Sequence, residues 1–179
     1  MRYVETMYAL DCKSFHYINS YFDHKILNRF FRNITHLGGA TTTIMTVLIF
    51  IVLTTGFIRQ TAIASGLSLL CSHLPVALVK KLLPRKRPYL VLENSQVLEN
   101  PLTDCSFPSG HTTAIFSIII PFILLYPILG LILLPIGFSV AISRVYLGLH
   151  YPSDILVGSL LGTFTGNLFY QLLMNGLFL

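Results

Sequence analysis

The chain has 179 residues, of which 54% are hydrophobic and 11% are charged, and its formal net charge is +5. Soluble domains average about 25% charged residues, so the composition excludes an ordinary soluble protein and predicts an integral membrane protein. The length suits one domain over residues 1–179, and basic residues in so apolar a chain favour contact with anionic lipids over nucleic acid.

The N-terminal segment, residues 1–36, mixes charged and apolar side chains, and its charges exclude a spanning helix. Ile26, Leu27 and Phe30 recur near helical spacing with basic residues between them. This pattern predicts an amphipathic helix that lies in the membrane interface and ends at Gly38–Gly39. No charged leader precedes a short apolar stretch with a cleavage site, so we expect no removable signal peptide.

Five apolar segments follow, and each is predicted to span the bilayer as a helix. A helix rises 1.5 Å per residue, so about 20 apolar residues cross the hydrocarbon core. The fold class is therefore all-α: an integral membrane bundle over residues 40–179, preceded by the interfacial segment. The predicted spans are residues 40–59, 61–80, 111–126, 128–147 and 152 to the C-terminus.

The connectivity of five spans determines which charged segments share a membrane face. Residues 1–36, the loop 81–110 and the junction before the last span fall on one side, which leaves only Arg59 of the twelve Lys and Arg residues opposite. We therefore expect polar clusters that are distant in sequence to meet at one face. The positive-inside rule would place this face in the cytoplasm, but several of its cations resemble substrate ligands and are poor topology markers.

Three cysteines are present without a CxxC pair, so their spacing does not predict a zinc site. Cys71 lies inside an apolar segment and is interpreted as a packing residue. Cys12 and Cys105 fall on the same predicted side, and a disulfide between them stays open because the sequence does not give their separation.

The first polar cluster follows the second span and contains Lys80 and Arg87–Pro88. A solvated basic edge that faces lipid headgroups is the simpler interpretation of the whole basic run. Pro84 ends the helix, however, and this lets Lys80 and Arg87 converge. The planar fork of arginine matches phosphate oxygens and lysine adds a point charge, so both are candidate phosphate ligands.

The second cluster, Pro108–Ser109–Gly110–His111, begins the third span. Ser109 is predicted to cap the helix, whose exposed N–H groups can bind an anion. Gly110 lets a phosphate approach the backbone, which would place His111 beside the bound group. A capped helix with an interfacial histidine explains the same residues without a ligand.

The third cluster contains Ser143–Arg144, His150 and Asp154. An ionised carboxylate in the otherwise uncharged final span needs a partner, and His150 lies four positions earlier. Pro152 fits a first helical turn, which leaves open whether His150 lies on the helix or just before it. In both cases Asp154 can fix the tautomer of the imidazole and leave one nitrogen free to attack. Arg144 has a simpler alternative role, in which it reaches from the span end to water.

Taken together, the clusters resemble the type-2 phosphatidic-acid phosphatase superfamily, whose pattern is K-x6-R-P, P-S-G-H and S-R-x5-H-x3-D. Every fixed position is matched between residues 80 and 154. The resemblance implies that His150 is the nucleophile that forms a phosphohistidine, that Asp154 orients it, and that His111 protonates the leaving oxygen. It also implies a phosphate-binding set made of Lys80, Arg87, Ser109, Gly110 and Arg144.

The resemblance further implies a reaction without metal or cofactor, and one carboxylate among three cations is a poor ligand set for Mg²⁺. The implied substrate is a lipid phosphate: undecaprenyl pyrophosphate, phosphatidylglycerophosphate or phosphatidic acid. The short chain favours undecaprenyl pyrophosphate by analogy alone. Relatives usually place the site on the extracytoplasmic face of the cell membrane.

Three other functions fit parts of this pattern. A lipid phosphotransferase would pass the phosphoryl group to an alcohol instead of water. A transporter or binding protein for anionic lipids would use the basic face without catalysis. A vanadium haloperoxidase shares the residue constellation, but such enzymes are soluble and five apolar spans disfavour it.

Overall fold

A computed structural model describes residues 2–99, 101 and 103–176 of the chain. The described residues form helices and no strands, which confirms the predicted all-α class. Short 3₁₀ helices occupy Thr35–Gly38, Pro88–Leu90 and Pro127–Leu129. The α-helices are α1 (Arg2–Asn19), α2 (Lys25–Ile34), α3 (Ala40–Leu53), α4 (Gly56–Leu82), α5 (Gly110–Leu125), α6 (Gly130–Tyr146) and α7 (Pro152–Met174).

Helices α3 to α7 correspond to the five predicted apolar segments. Within the described part of the chain, three helices are long and apolar enough to cross a membrane: α4, α6 with its 3₁₀ lead-in, and α7. Lys25–Gly38 and α3 meet at a bend of 55°. If this bent pair crosses the membrane as one broken span, it is the fourth. Helix α5 is apolar but has only 16 residues. The protein is therefore a multi-pass membrane protein with three or four spans by length and composition.

The predicted boundary between the first two spans was wrong. Helix α3 ends at Leu53 instead of residue 59, and Thr54 and Thr55 adopt extended backbone conformations. Gly56 has a φ of +60°, a left-handed conformation that favours glycine. Residues 57–60 therefore belong to α4. Because the break contains no charge, hydropathy alone could not reveal it.

The N-terminal segment contains a helix that the sequence patterns did not predict. Helix α1 packs against α6 and α7 and buries Asp11, Phe15 and Asn19. The side-chain amide of Asn19 donates to the carbonyl of Tyr146 over 2.9 Å. The segment before α3 is thus two helices, and the first is anchored on the two helices that carry the third polar cluster.

Small residues let α5 pack closely against α7. Helix α5 also packs against α4. A Cβ atom on Gly162 would lie 2.4 Å from the carbonyl oxygen of Thr113, so only glycine fits there. The close approach brings the start of α5 onto the start of α7, where the backbone N–H of Ser109 donates to the carbonyl of Asp154 over 3.1 Å. The glycines on this face of α7 are Gly158, Gly162 and Gly166.

Large apolar side chains cover the outside of the bundle. Leu53, Leu131 and Leu160 are all more than half exposed. Soluble monomers rarely present continuous apolar surface of this kind, whereas lipid tails solvate it well. The outer surface therefore agrees with the membrane location that the composition predicts.

The three cysteines are free thiols. The disulfide that the sequence left open between Cys12 and Cys105 is therefore not formed. Cys12 instead packs beside a buried cluster that contains Phe15, Val145 and Tyr151.

Candidate active site

The three polar clusters meet at one end of the bundle. The elements that converge there are the C-terminal ends of α4 and α6, the N-terminal ends of α5 and α7, and the loop of residues 83–109. A chain of contacts connects them, from Lys80 through Asp104 and Arg87 to His150. The predicted convergence at one face is therefore present, and it places a histidine among cations.

His150 and Asp154 form a buried pair at the start of α7. The Nδ1 atom of His150 lies 3.4 Å from Oδ2 of Asp154, and the two side chains are 2% and 0% exposed. Helix α7 begins at Pro152, so His150 lies just before the helix. The same carboxylate oxygen accepts a hydrogen bond from the backbone N–H of Tyr151 over 2.8 Å. Donation from Nδ1–H to the carboxylate leaves Nε2 with a free lone pair.

The free nitrogen of His150 faces Arg87. Nη1 of Arg87 lies 3.3 Å from His150 Nε2 and donates to the carbonyl of Leu149 over 2.8 Å. Arg87 is 1% exposed, so packing and hydrogen bonds hold its guanidinium in place. A phosphoryl group bound to this arginine would therefore lie next to the nitrogen that can attack it.

The surroundings of His150 keep its ring neutral. Burial is the largest effect on its pKa and lowers it, while the hydrogen bond to Asp154 opposes this change. The positive charges of Arg144 and Arg87 lower the value further, to about 4. The imidazole is therefore unprotonated at physiological pH, which a nucleophile requires.

Arg144 supplies the least satisfied donors of the site. Its Nη1 donates to Thr35 Oγ1 over 2.8 Å, and the side chain is buried. Its Nε and Nη2 have no hydrogen-bond partner within the described part of the protein. Buried cationic donors without partners are costly, and a guanidinium fork matches the oxygens of a phosphate. These two donors therefore fit an anionic ligand, while Thr35 is a contact that no sequence motif indicated.

The second cluster adopts the predicted helix start. Ser109 caps α5, and its hydroxyl accepts from the N–H of Thr112 over 3.5 Å. A Cβ on Gly110 would meet no heavy atom within 4 Å, so the backbone here opens onto free space. His111 packs against the turn before α3, where a Cβ on Gly39 would lie 3.9 Å from its Nε2. At Gly38 a Cβ would lie 2.8 Å from the carbonyl oxygen of His111, so the glycine at this position makes room for His111.

Asp104 joins two of the predicted phosphate ligands, and sequence reasoning missed it. Its carboxylate lies 2.5 Å from Lys80 Nζ and 2.5 Å from Arg87 Nη2. Partial burial raises the pKa of Asp104, but hydrogen bonds from Lys80 and Arg87 outweigh this and lower it to about 2. Asp104 carries no motif and shares its loop with Glu93 and Glu99, so the sequence offered no signal that would select it.

Three further residues support Asp154, and the sequence analysis assigned none of them to the site. Arg85 Nη1 lies 2.8 Å from Asp154 Oδ1, and Arg85 Nη2 lies 2.7 Å from Asp11. The hydroxyl of Ser106 donates to Asp154 Oδ2. Arg85 was grouped with a basic lipid-facing edge, and Asp11 lies in a segment without a motif. The need of the buried carboxylate for more than one partner was the signal that could have found them.

Comparisons with known proteins identify the family of the chain. The family model of the PAP2 superfamily matches residues 61–176. The bacitracin transport permease protein BcrC of Bacillus licheniformis is 41% identical over 76 residues, which are 42% of this chain and 37% of that protein. An undecaprenyl-diphosphatase of Sulfolobus acidocaldarius is 34% identical over 101 residues, 54% of this chain and 48% of that protein. The chain thus spans about half or less of the length of these relatives.

A solved structure shows the same fold over most of the chain. The crystal structure of Aquifex aeolicus LpxE superposes with a TM-score of 0.79 at 28% sequence identity. The match covers 89% of this chain and 93% of the other. The likeness therefore extends well beyond residues 80–154, which carry the motifs.

Proposed function

The chain belongs to the PAP2 superfamily, and we propose that it is a membrane phosphatase that hydrolyses a lipid phosphate through a phosphohistidine intermediate. One observation carries the proposal: the unprotonated Nε2 of His150 lies 3.3 Å from Arg87 Nη1, and the buried Arg144 in the same cluster has two unpaired donors. Such an arrangement would suit a neutral nucleophile with cationic ligands for the group that it attacks.

In the first step, Arg87, Arg144 and Lys80 bind the phosphoryl oxygens. Nε2 of His150 attacks phosphorus, and the bond from phosphorus to the leaving oxygen breaks as the N–P bond forms. His111 donates a proton to that leaving oxygen. Burial and the nearby cations lower the pKa of His111 to about 3 in the free protein, and the negative charge of a bound phosphate would raise it again. Phosphoryl transfer depends mainly on positioning and charge stabilisation, and a positioned general acid contributes on the order of 10²–10⁴-fold.

In the second step, water attacks the phosphohistidine and releases inorganic phosphate, and His111, which lost its proton in the first step, takes a proton from that water. The N–P bond breaks, and its electron pair returns to Nε2 of His150. Asp154, which accepts from Nδ1 of that ring, stabilises the positive charge that the imidazole carries as a phosphohistidine. The histidine is then ready for another substrate.

A groove between α3 and α4 supports a lipid as substrate. It has a volume of about 580 Å³, begins at Ala40 and continues past Val47 and Leu69. Ala40 follows Gly39, which lies against His111. An apolar tail in this groove would keep its phosphate at the cationic cluster. We propose undecaprenyl pyrophosphate as the first substrate to test, since one relative is named an undecaprenyl-diphosphatase.

We propose that the reaction needs no metal and no cofactor. The described residues contain no group of three or more His, Cys, Asp or Glu side chains that could hold a metal ion. Cations dominate the phosphate-binding set, and Mg²⁺ prefers oxygen ligands with negative charge. Lys80, Arg87 and Arg144 would supply the charge stabilisation that a metal supplies in other phosphoryl-transfer enzymes.

We also propose that the site faces the extracytoplasmic side of the cell membrane. Glu93 lies exposed in the long loop and can be used to test this orientation. The variant needed carries Glu93→Cys and has the three natural cysteines replaced. A membrane-impermeant maleimide should label this variant in intact cells. Labelling only after the cells are broken would place the site in the cytoplasm.

The deciding experiment measures phosphate release from purified protein with a panel of lipid phosphates, in detergent with EDTA. Wild type should release phosphate and form a ³²P-labelled phosphoenzyme, whereas His150→Ala should do neither. Arg144→Lys should be severely impaired because it loses the guanidinium fork. Lys86→Gln, which removes an exposed neighbouring cation, is the matched control.

Three results would contradict the proposal. Full activity of His150→Ala would exclude this histidine as the nucleophile. Phosphorylated alcohols formed in place of free phosphate, when alcohol acceptors are added, would identify a phosphotransferase. Lipid binding without any turnover by wild type would instead identify a binding protein.

A further inference from the structure

Arg85 makes contacts that a lipid-facing cation would not make. Its Nη1 donates to Asp154 Oδ1 and to Ser153 Oγ, each over 2.8 Å. Its Nη2 donates to Asp11 Oδ2 over 2.7 Å. The guanidinium carbon lies 3.8 Å from the ring centroid of Tyr151. Four contacts to two different parts of the chain, α1 and the start of α7, fix this side chain.

The two carboxylate oxygens of Asp154 bind different partners, and Arg85 binds only one of them. Oδ2 faces His150 and also accepts from Ser106 and from the backbone of Tyr151. Oδ1 accepts from Arg85. Because each oxygen has its own donors, the carboxylate cannot rotate without losing one set of hydrogen bonds. Arg85 therefore holds the orientation in which Oδ2 meets the imidazole.

Asp11 connects this arrangement to helix α1. Its Oδ1 accepts from the backbone N–H of Ser153 over 2.9 Å, and its Oδ2 accepts from the hydroxyl of that serine as well as from Arg85. The two carboxylates balance the charge of Arg85, whose pKa is raised despite burial, because Asp11 and Asp154 favour the charged form. Helix α1 thus supplies the counter-ion of the cation that stabilises Asp154.

We propose that Arg85 is a positioning residue for phosphoryl transfer by His150, and that Asp11 makes helix α1 part of the same device. The proposal rests on the proposed function, in which His150 is the nucleophile. Arg85 acts on the reaction only through Asp154. Groups that support a catalytic histidine from one contact further away typically change activity by about 10–100-fold.

The test compares Arg85→Gln and Asp11→Asn with the control Lys86→Gln, an exposed cation one position along the chain. We expect Arg85→Gln to lower kcat by about 10–100-fold with KM within about threefold, because Asp154 loses its orientation. Asp11→Asn should lower kcat by about 3–10-fold, and Lys86→Gln should match wild type. A kcat for Arg85→Gln within about twofold of the control would overturn the proposal.

A second readout separates positioning from a purely structural role. Histidine-selective NMR, assigned with His150→Ala, follows the protonation of His150 directly. Loss of the Arg85 contact should lower its midpoint by roughly half a unit to one unit, because a carboxylate that has lost its orientation stabilises the imidazolium less. Loss of the Arg85 charge alone would raise the midpoint instead. Asp154, Arg87, Arg144 and His111 also face this ring, and the variants leave all four in place. An unchanged or raised midpoint in Arg85→Gln would count against the proposal.

Two provisions keep the test decisive. If Arg85→Gln does not fold, Arg85→Lys keeps the charge and loses one arm of the fork, so kcat should fall at least about fivefold and the His150 midpoint should fall as well. If kcat is unaltered in Arg85→Lys and also unaltered in the separate variant Asp11→Asn, these results would refute the role of Arg85. If wild type hydrolyses no lipid phosphate, the proposed function fails, yet the NMR midpoint still tests the link from Arg85 to His150.

Discussion

Asp104 forms ion pairs with Lys80 and Arg87, the two cations that a phosphate would need. Removal of the Asp104 charge therefore gives a quantitative prediction. Both carboxylate oxygens are engaged, one by Lys80 and one by Arg87, at 2.5 Å each. A substrate that binds these cations must therefore displace the carboxylate or share them with it. Asp104→Asn keeps the size of the side chain and the backbone carbonyl that Arg87 Nε contacts at 2.8 Å. The variant removes only the competing charge.

The magnitude follows from the pKa of Asp104, which falls from 3.8 to about 2. Each pKa unit corresponds to about 1.4 kcal/mol, so the two cations favour the ionised carboxylate by about 2.5 kcal/mol. The Asp104 side chain is 55% exposed. Because this carboxylate is exposed, solvent screening reduces the contribution of its ion pairs with Lys80 and Arg87 to about 1 kcal/mol. This energy corresponds to about a fivefold change in affinity.

We therefore expect Asp104→Asn to lower KM for a lipid phosphate, and Ki for vanadate, by about fivefold. Steady-state phosphate release measures KM, and inhibition by vanadate measures Ki without turnover. Glu93→Gln, which removes an exposed acid from the same loop, should change neither constant. High salt should reduce the difference between Asp104→Asn and wild type. An unchanged or increased KM and Ki in Asp104→Asn would refute competition and indicate that Asp104 orients the cations instead.

Three further outcomes follow from the structure. The pKa of His150, lowered from 6.5 to about 4, keeps the proposed nucleophile unprotonated at neutral pH. On the acid side, kcat/KM, corrected for ionisation of the substrate phosphate, should therefore fall as pH drops through about 4, and an acid-side midpoint near 6.5 would contradict this. Gly162→Ala should lower the thermal midpoint in detergent, since its Cβ would lie 2.4 Å from a backbone oxygen of α5, whereas Gly130→Ala meets nothing nearer than 3.5 Å and should not. Ile44→Trp, in the groove between α3 and α4, should raise KM several-fold for long-chain substrates only, and Leu131→Trp on the lipid-facing surface of α6 should raise it for none.

The sequence predicted the parts of the site that local rules determine. Ser109 caps α5 because a serine before a helical run offers its hydroxyl to the first turn. Pro152 starts α7 because its fixed φ suits that position, and this places His150 just before the helix. Alternation of apolar segments and charged loops was enough to bring the three clusters to one membrane face.

The parts that the sequence did not reveal depend on contacts between distant segments. Asp11 and Asp154 are separated by 143 positions and share Arg85 between them. Thr35 reaches Arg144 across 109 positions. No spacing rule selects such pairs, because they form only when α1 and the turn before α3 pack onto the bundle. The break at Gly56 escaped detection for a different reason, since hydropathy measures composition and does not report a left-handed backbone.

The cations of the site divide into two groups that differ in how their charge is balanced. Arg85 lies between Asp11 and the buried Asp154, behind the imidazole of His150. Lys80 and Arg87 lie on the other side and share Asp104, which is largely exposed. Arg144 has no carboxylate partner among the described residues, and two of its donors are unsatisfied. A buried counter-ion is costly to remove, whereas an exposed one is readily exchanged for an incoming anion. In the proposed mechanism, this difference would let one cluster hold its nucleophile rigidly and still admit a phosphate: the carboxylate of Asp154 is fixed against His150, and that of Asp104 can be displaced.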